Sequence, residues 1–392
     1  MQKKDQTYIK KENRVMVLDL IKRQGPISRA KIARMTKMSP TTVSRIAATL
    51  IEYNIIRETD LHSSGVGRKA TLLSVNADSI LTVGVELDET KARICVINFL
   101  DKVITETEFD LLENYSPGNV VKQIKDQLAA LIQENNIHWD KIVGIGVGLP
   151  GLIDHLTGKI HISAQLGWNH VDFGQLLENA LEKKVFLDNE LKLKAYAEQH
   201  LGNGRHSERM VMIGFGSGVG SSLILRGDIY RGHSNFAGEI GHTTVDPNGA
   251  LCPCGSFGCL QTYIAEGFLL EEASKRQKIN NLQELIELAD NNENWAVNII
   301  ERAAIYASLA INNSVCMYNP DTVILTGSLI ENHPYITEKV FKNCETNIWE
   351  PLRHSFSLKR SSLGQKGVMI GAAMFAQTNF IEKLNLEEGI LL

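Results

Sequence analysis

The sequence predicts an α/β protein: a small winged helix-turn-helix at the N-terminus, followed by a larger body of alternating strands and helices. Three observations predict it. The first eighty residues hold short amphipathic segments followed by two strand-like segments. Beyond about Asn76, apolar strand segments alternate with helical ones and end in glycine turns. Finally, His242, Cys252, Cys254 and Cys259 crowd into eighteen residues.

In the head, Val15, Met16, Leu18, Leu20 and Ile21 fit an amphipathic helix over residues 13–23, which Gly25-Pro26 ends. Ser28 suits the N-cap of a second helix running to about Thr36. Ser39-Pro40 is a start signal for a third, because serine caps orphan amides and proline suits the first helical position. That helix buries Val43, Ile46, Ala47 and Leu50 and leaves Thr41, Thr42, Ser44 and Arg45 at its N-terminal end. Short hydroxyls and an arginine there are what a recognition helix offers to base edges and phosphates in a major groove. Residues 55–58 and 71–75 read as strands of a wing, and Gly67, Arg68 and Lys69 form a small basic tip suited to a minor groove. The DNA-facing set is therefore Ser39, Thr41, Thr42, Ser44, Arg45, Gly67, Arg68 and Lys69. The alternative for this head is a three-helix protein-interaction module.

The body opens with strands at 80–87 and 92–98 and a third near Val103. A helix over 117–135 leads to a buried strand from Ile142 that ends in a glycine loop at Gly151. A short strand at 185–188 precedes a helix from Glu190 to about Leu201. Residues 210–225 form a hairpin with a glycine-rich connection, helices fill roughly 265–318, and a strand starts at Thr322. Two such halves with facing glycine loops would make a cleft. The domains expected are a head over 1–78, a first lobe over 79–190 and a second over 191–392, with a helix near 367–378 packing back on the first lobe.

Cys252, Cys254 and Cys259 with His242 are a Cys3His set of the kind that closes a tetrahedral structural zinc site. Gly255 and Gly258 flank the turn between the later thiols, where a chain wrapping a metal needs freedom from Cβ. Cys95, Cys316 and Cys344 are far apart, which points to reduced thiols and a cytoplasmic chain, not a disulfide scaffold. The lysine-rich N-terminus is unlike a signal peptide, and the longest apolar run is too short to span a bilayer. A net charge of -4 hides an asymmetry: residues 1–80 carry 15 Lys+Arg against 7 Asp+Glu, and the remainder is acidic. A basic head on an acidic body directs only the head toward a polyanion.

With these segments in place the chain resembles the ROK family of repressors and sugar kinases. The resemblance rests on Glu239-Ile-Gly-His242, on Cys252-Pro-Cys-Gly-Ser-Phe-Gly-Cys259-Leu, on the glycine turns, and on Gly367-Val-Met-Ile-Gly-Ala-Ala near the end. It implies a two-lobed actin-like, ribonuclease-H-like body. Members with a winged head are sugar-responsive repressors, and Glu190, where the kinases have aspartate, is similar to the xylose-repressor branch. The resemblance places Gly151, Asn189, Glu190, Glu239 and His242 around a sugar. Gln261 stands where the family usually has glutamate.

Two departures argue against kinase chemistry. Family kinases carry Asp-x-Gly-Gly-Thr on the first hairpin, whereas Glu86-Leu-Asp88-Glu89-Thr90 stands here. Two carboxylates beside a polyphosphate cost about 1–4 kcal/mol per pair at ~4 Å even when screened. Where the kinases keep Asn-Asp, with the aspartate as general base, this chain has Asn189-Glu190. The extra methylene moves the carboxylate by roughly 1.5 Å, enough to spoil a positioned proton transfer. The resemblance thus implies operator DNA, a small sugar effector, structural zinc and a homodimer whose bodies pair, with further association to a tetramer left open. A sugar kinase with an added regulatory head is the alternative, and a head controlled by a protein partner is a third reading.

Overall fold

The computed structural model describes residues 6–60, 71–112 and 116–383. The chain forms two compact units. One comprises the chain up to Gly151, His155–Asp188 and the stretch from Ala372 on; the other comprises Leu152–Asp154 and Asn189–Gly371.

The first unit begins with helices Gln6–Gln24, Arg29–Thr36 and Pro40–Glu52. The local signals act as expected. The Ser28 side chain accepts from the Lys31 amide at 3.3 Å, and Ser39 Oγ accepts from the Thr42 amide at 3.1 Å. Helix Gln6–Gln24 starts several residues before its apolar stripe, because lysine, glutamine and glutamate propagate a helix without burying a face. The wing is a three-stranded antiparallel sheet with Thr71–Val75 between Ile27–Ser28 and Ile56–Asp60. Leu18, Ile21, Ile32, Val43, Leu50, Ile55 and Leu73 form its core, and Phe99 and Phe380 belong to the same apolar cluster. The head therefore shares its core with the body sheet and the final helix.

That sheet has the order Val185–Asn189, Ile142–Leu149, Leu81–Leu87, Lys91–Asn98, Val103–Asp110. Leu81–Leu87 runs parallel to Ile142–Leu149 and antiparallel to Lys91–Asn98. Gly146 admits close backbone packing: a Cβ there would lie 1.8 Å from the Ala372 carbonyl oxygen.

The second unit is built on a sheet ordered Asp228–Tyr230, Val219–Leu225, Arg209–Phe215, Thr322–Thr326, Ser357–Arg360. Helices Glu266–Ser274, Leu282–Asp290 and Asn294–Tyr318 cover it, and Ile213, Phe215, Leu269, Leu285, Ile300, Ile311 and Leu325 fill the core between. Helices Phe173–Leu181 and Pro334–Asn347, the strand pair Lys159–Ser163 and Trp168–Val171, and the edge strand Ser357–Arg360 went unread in the sequence. Among the described residues no helix is long and apolar enough to cross a membrane.

Candidate metal centre, effector residues and DNA-facing helix

Glycines shape the loop that carries the metal candidates. Gly238 takes φ +111, and a Cβ there would lie 2.0 Å from the Ser221 carbonyl oxygen. Gly258, at φ +63, would place a Cβ 1.5 Å from the Asp246 carbonyl oxygen, so only glycine fits this crossing. Between them the short helical turn Ile240–His242 presents His242, and single bridges pair Thr244 with Cys259 and Leu251 with Phe257.

The result is a compact donor set. One ligand atom each from His242, Cys252, Cys254 and Cys259 lies within 4.8 Å of the others. Cys254 Sγ is 3.6 Å from Cys259 Sγ, and Cys252 Sγ is 3.8 Å from His242 Nδ1. Tetrahedral zinc with Zn–S bonds of about 2.3 Å needs ligand separations of roughly 3.8 Å, so these residues fit a closed structural site. Crowding splits the thiols: hydrogen bonds from the Ser256 backbone and Cys252 lower Cys254 to about 6, while burial and neighbouring sulfurs push Cys259 up to about 12. Three thiols this close do not ionise together without a cation between them.

Two fastenings surround the set. Gln261 Nε2 donates to Cys252 Sγ at 3.1 Å, so the residue expected at the sugar lies against a metal-candidate sulfur. The Tyr263 hydroxyl donates to Asp246 at 2.9 Å, and its ring stacks on Tyr306 at 4.2 Å. Burial, followed by that carboxylate, pushes Tyr263 up to about 12.

Beside the knuckle, Glu239 has its pKa raised above the ordinary carboxylate range by desolvation, which His242 and Lys192 oppose. Lys192 was unremarked in the sequence. It is 5% exposed, on the first turn of helix Glu190–His200, and its Nζ donates to the Asn235 carbonyl. It therefore ties the segment bearing Glu239 and His242 to the helix that begins at Asn189-Glu190. Asn189 uses its side chain to cap that helix, accepting from Leu191 N at 3.0 Å and Lys192 N at 3.3 Å. Gly151 belongs to the other unit, where φ +128 and the Ile162 carbonyl 2.3 Å from a Cβ position demand glycine. A buried lysine carries no periodic signal, which is why the sequence concealed it.

Of the two turns that match those facing phosphates in family kinases, the first departs from the kinase pattern and the second keeps its glycines. On the first hairpin Glu86 is buried and paired with Arg93 at 3.2 Å, and Arg93 also holds Glu108 at 2.6 Å. Asp88 and Glu89 stand exposed at the tip. On the second, Gly216 N donates within the turn to Gly218 O at 3.0 Å, the Glu266 amide donates to Gly216 O at 3.0 Å, and Ser328 Oγ donates to the Glu266 carboxylate. An acid and its partner hydroxyl thus border that turn.

On helix Pro40–Glu52, Thr41, Ser44 and Arg45 are exposed, and Thr42 is half-buried with its hydroxyl 2.9 Å from Ser39 Oγ. Ser39 and Thr42 thus build the helix start, and the other three form its outward face. Gly67, Arg68 and Lys69 lie outside the described residues.

A winged-helix head on an actin-like α/β body with a Cys3His knuckle defines a class of two-part proteins. The chain belongs to the ROK family: that family's profile matches residues 82–379, and the MarR family profile matches residues 11–65. The chain is 28% identical over 389 residues to the xylose repressor of Bacillus subtilis (strain 168), covering 97% of this chain and 99% of that one. It is 26% identical over 374 residues to the DNA-binding transcriptional dual regulator NagC of Escherichia coli (strain K12), covering 93% and 92%. Among solved structures, a ROK family transcriptional regulator described as a homolog of the E. coli MLC protein superposes with TM-score 0.84 at 21% identity, covering 98% of this chain and 99% of that one.

Proposed function

We propose that the chain is a sugar-responsive, DNA-binding transcriptional repressor of carbohydrate-utilisation genes that performs no phosphoryl transfer. The observation that carries this is the pairing of a winged head, presenting Thr41, Ser44 and Arg45, with a ROK body whose first phosphate turn holds Asp88 and Glu89. Relatives named as xylose repressors and as NagC support it. The sugar contacts Gly151, Asn189, Glu190, Glu239, His242 and Gln261, and zinc is held by His242, Cys252, Cys254 and Cys259. When bound, the metal closes the loop; the chain's own residues do the reading. His242, with Nδ1 turned to the thiols, offers its other nitrogen to a hydroxyl, and Glu239 accepts a second. The wing tip Gly67, Arg68 and Lys69 follows the minor groove. Glu190 resembles the xylose-repressor branch, which makes xylose the first sugar to try and leaves the effector's identity to the titration. The protein acts in the cytoplasm as a homodimer, its two heads spanning half-sites whole helical turns of ~34 Å apart.

The test uses a duplex selected by the purified chain from a random library, titrated with pentoses and hexoses. One sugar is expected to shift operator affinity by about 5–150-fold, the usual range of allosteric coupling. With ATP, magnesium and the same sugars the nucleotide should stay intact; turnover would favour the kinase reading, and a sugar that binds without moving operator affinity would sink the sensor.

Lys192→Met removes the charge beside Glu239 and the tie to the Asn235 carbonyl, and is expected to weaken sugar binding by roughly tenfold or more, since a hydrogen bond from a charged group is worth about 1.5–3 kcal/mol. Zinc content should not change. Calorimetry with the effector, alongside metal analysis, reads both.

A further inference from the structure

Helix Gly367–Lys383 is seated by backbone contact and ends in the head's core. At its start, a Cβ on Gly371 would lie 2.0 Å from the Leu193 carbonyl oxygen, and one on Gly367 would lie 2.8 Å from Lys194 Cγ. Leu193 and Lys194 belong to helix Glu190–His200, whose first turn carries Glu190 and Lys192. One residue beyond Gly371, the Ala372 carbonyl meets Gly146 on strand Ile142–Leu149. The Gly371–Leu193 and Gly146–Ala372 contacts, backbone on backbone, leave little slack, so a shift of the neighbouring backbone passes into the helix.

Its last turns meet the head. Gln377, 1% exposed, accepts from Lys22 Nζ and donates through Nε2 to the Asn98 carbonyl at 3.2 Å. Lys22 also pairs with Asp101 at 2.8 Å and lies 5.5 Å from the Phe99 ring centroid. Asp101 cannot drift: it sits at φ +60 in a tight turn where Asn98 Oδ1 accepts from Leu100 N at 3.0 Å and Lys102 N at 3.1 Å. Phe380, 5% exposed, packs into the same apolar cluster as Leu18, Ile21 and Ile55. The Lys22 and Asp101 side chains are 19% and 13% exposed, so the pair is shielded from the screening that makes surface ion pairs weak.

We infer that Lys22, Asp101 and Gln377 form a latch that fixes the head's orientation on the body sheet, and that helix Gly367–Lys383 is the rod that carries movement of helix Glu190–His200 to that latch. The rod half rests on the sugar-sensing reading above; the latch half does not. One element touches, at separate points along its length, the helix that starts at the proposed effector residues and the lysine that holds the first helix of the head. Displacing it along its axis pulls Gln377 from Lys22 and loosens the seat of the head.

The experiment uses the full metal-loaded chain and the variants Lys22→Met, Asp101→Asn and Gln377→Leu, with Lys22→Arg as the charge-keeping control. Amide hydrogen exchange at residues 21–24 and Thr71–Val75 is expected to quicken by about tenfold or more in the three variants, with strand Arg209–Phe215 unchanged. Sugar affinity should stay within about twofold, while the sugar-driven change in operator affinity collapses to about twofold or less. Lys22→Arg should keep both the slow exchange and the sugar response. Unchanged exchange in all three variants overturns the latch. Faster exchange with a full sugar response overturns the rod. A parent chain whose operator binding no sugar alters defeats the sensor reading and the rod with it, while the exchange measurement still judges the latch.

Discussion

Cys254→Ser is expected to yield a chain that retains no zinc and binds its sugar roughly 100-fold more weakly or worse, the scale on which a lost ligand and its oriented partners act. Cys254 is the exposed thiol of the set and the one that hydrogen bonds from the Ser256 backbone and Cys252 drive down to about 6, which favours the thiolate a metal needs. A serine hydroxyl does not ionise there and cannot replace it. Cys252, Cys259 and His242 then remain as an open three-ligand set. His242, no longer held by the metal, loses the orientation that aims its second nitrogen. The fold should survive, because most of the second unit's core lies under helices Leu282–Asp290 and Asn294–Tyr318, and only Ile240 and Leu260 of it adjoin the ligands. Metal analysis, calorimetry with the effector and circular dichroism on one preparation check the three parts. A variant that keeps both zinc and sugar would show that the donor set has been misassigned.

Arg45→Ala is expected to weaken operator binding by about 10–100-fold, equivalent to the ~1–3 kcal/mol of a well-made arginine contact. Thr41, Ser44 and Arg45 follow the three-and-four spacing that puts side chains on one helix face, and they are exposed while Val43, Ile46, Ala47 and Leu50 are buried behind them. The salt dependence separates two roles. A phosphate contact lowers the slope of log affinity against log salt by about one and weakens all sequences alike. A base contact leaves that slope and relaxes preference at one position. Anisotropy titrations at several salt concentrations distinguish them, and wild-type affinity with a wild-type slope would take this helix out of the interface.

Much of this molecule could be read before folding because local chemistry wrote it. Ser28, Ser39 and Pro40 mark helix starts by capping rules that need no tertiary context, and the structure has both hydroxyls on their amides. The Cys3His spacing specifies a ligand set regardless of what lies around it, and the four donors do converge. What stayed hidden depended on distant partners. Strand Ser357–Arg360 is partly exposed without a clean alternation, and it exists because Thr322–Thr326 offers an edge. Strand Lys159–Ser163 carries His161, and Trp168–Val171 carries Asn169 and His170, polar residues that weaken any strand signal. Lys192 and Lys22 look like solvent-facing lysines in the sequence and are held by an Asn235 carbonyl and by Asp101 with Gln377. Phe99 and Phe380, far apart in the chain, share a core with the head, which no window of sequence reveals.

The Tyr263–Asp246 hydrogen bond and the Tyr263–Tyr306 stack have a bearing on oxidative stress. They moor the loop to the long helix Asn294–Tyr318 by groups that peroxide leaves untouched, beside thiols that it attacks. A chain whose sulfurs were converted to reversible oxidation products would go blind to its ligand yet keep its architecture, and reductant with fresh zinc would return it to service without refolding.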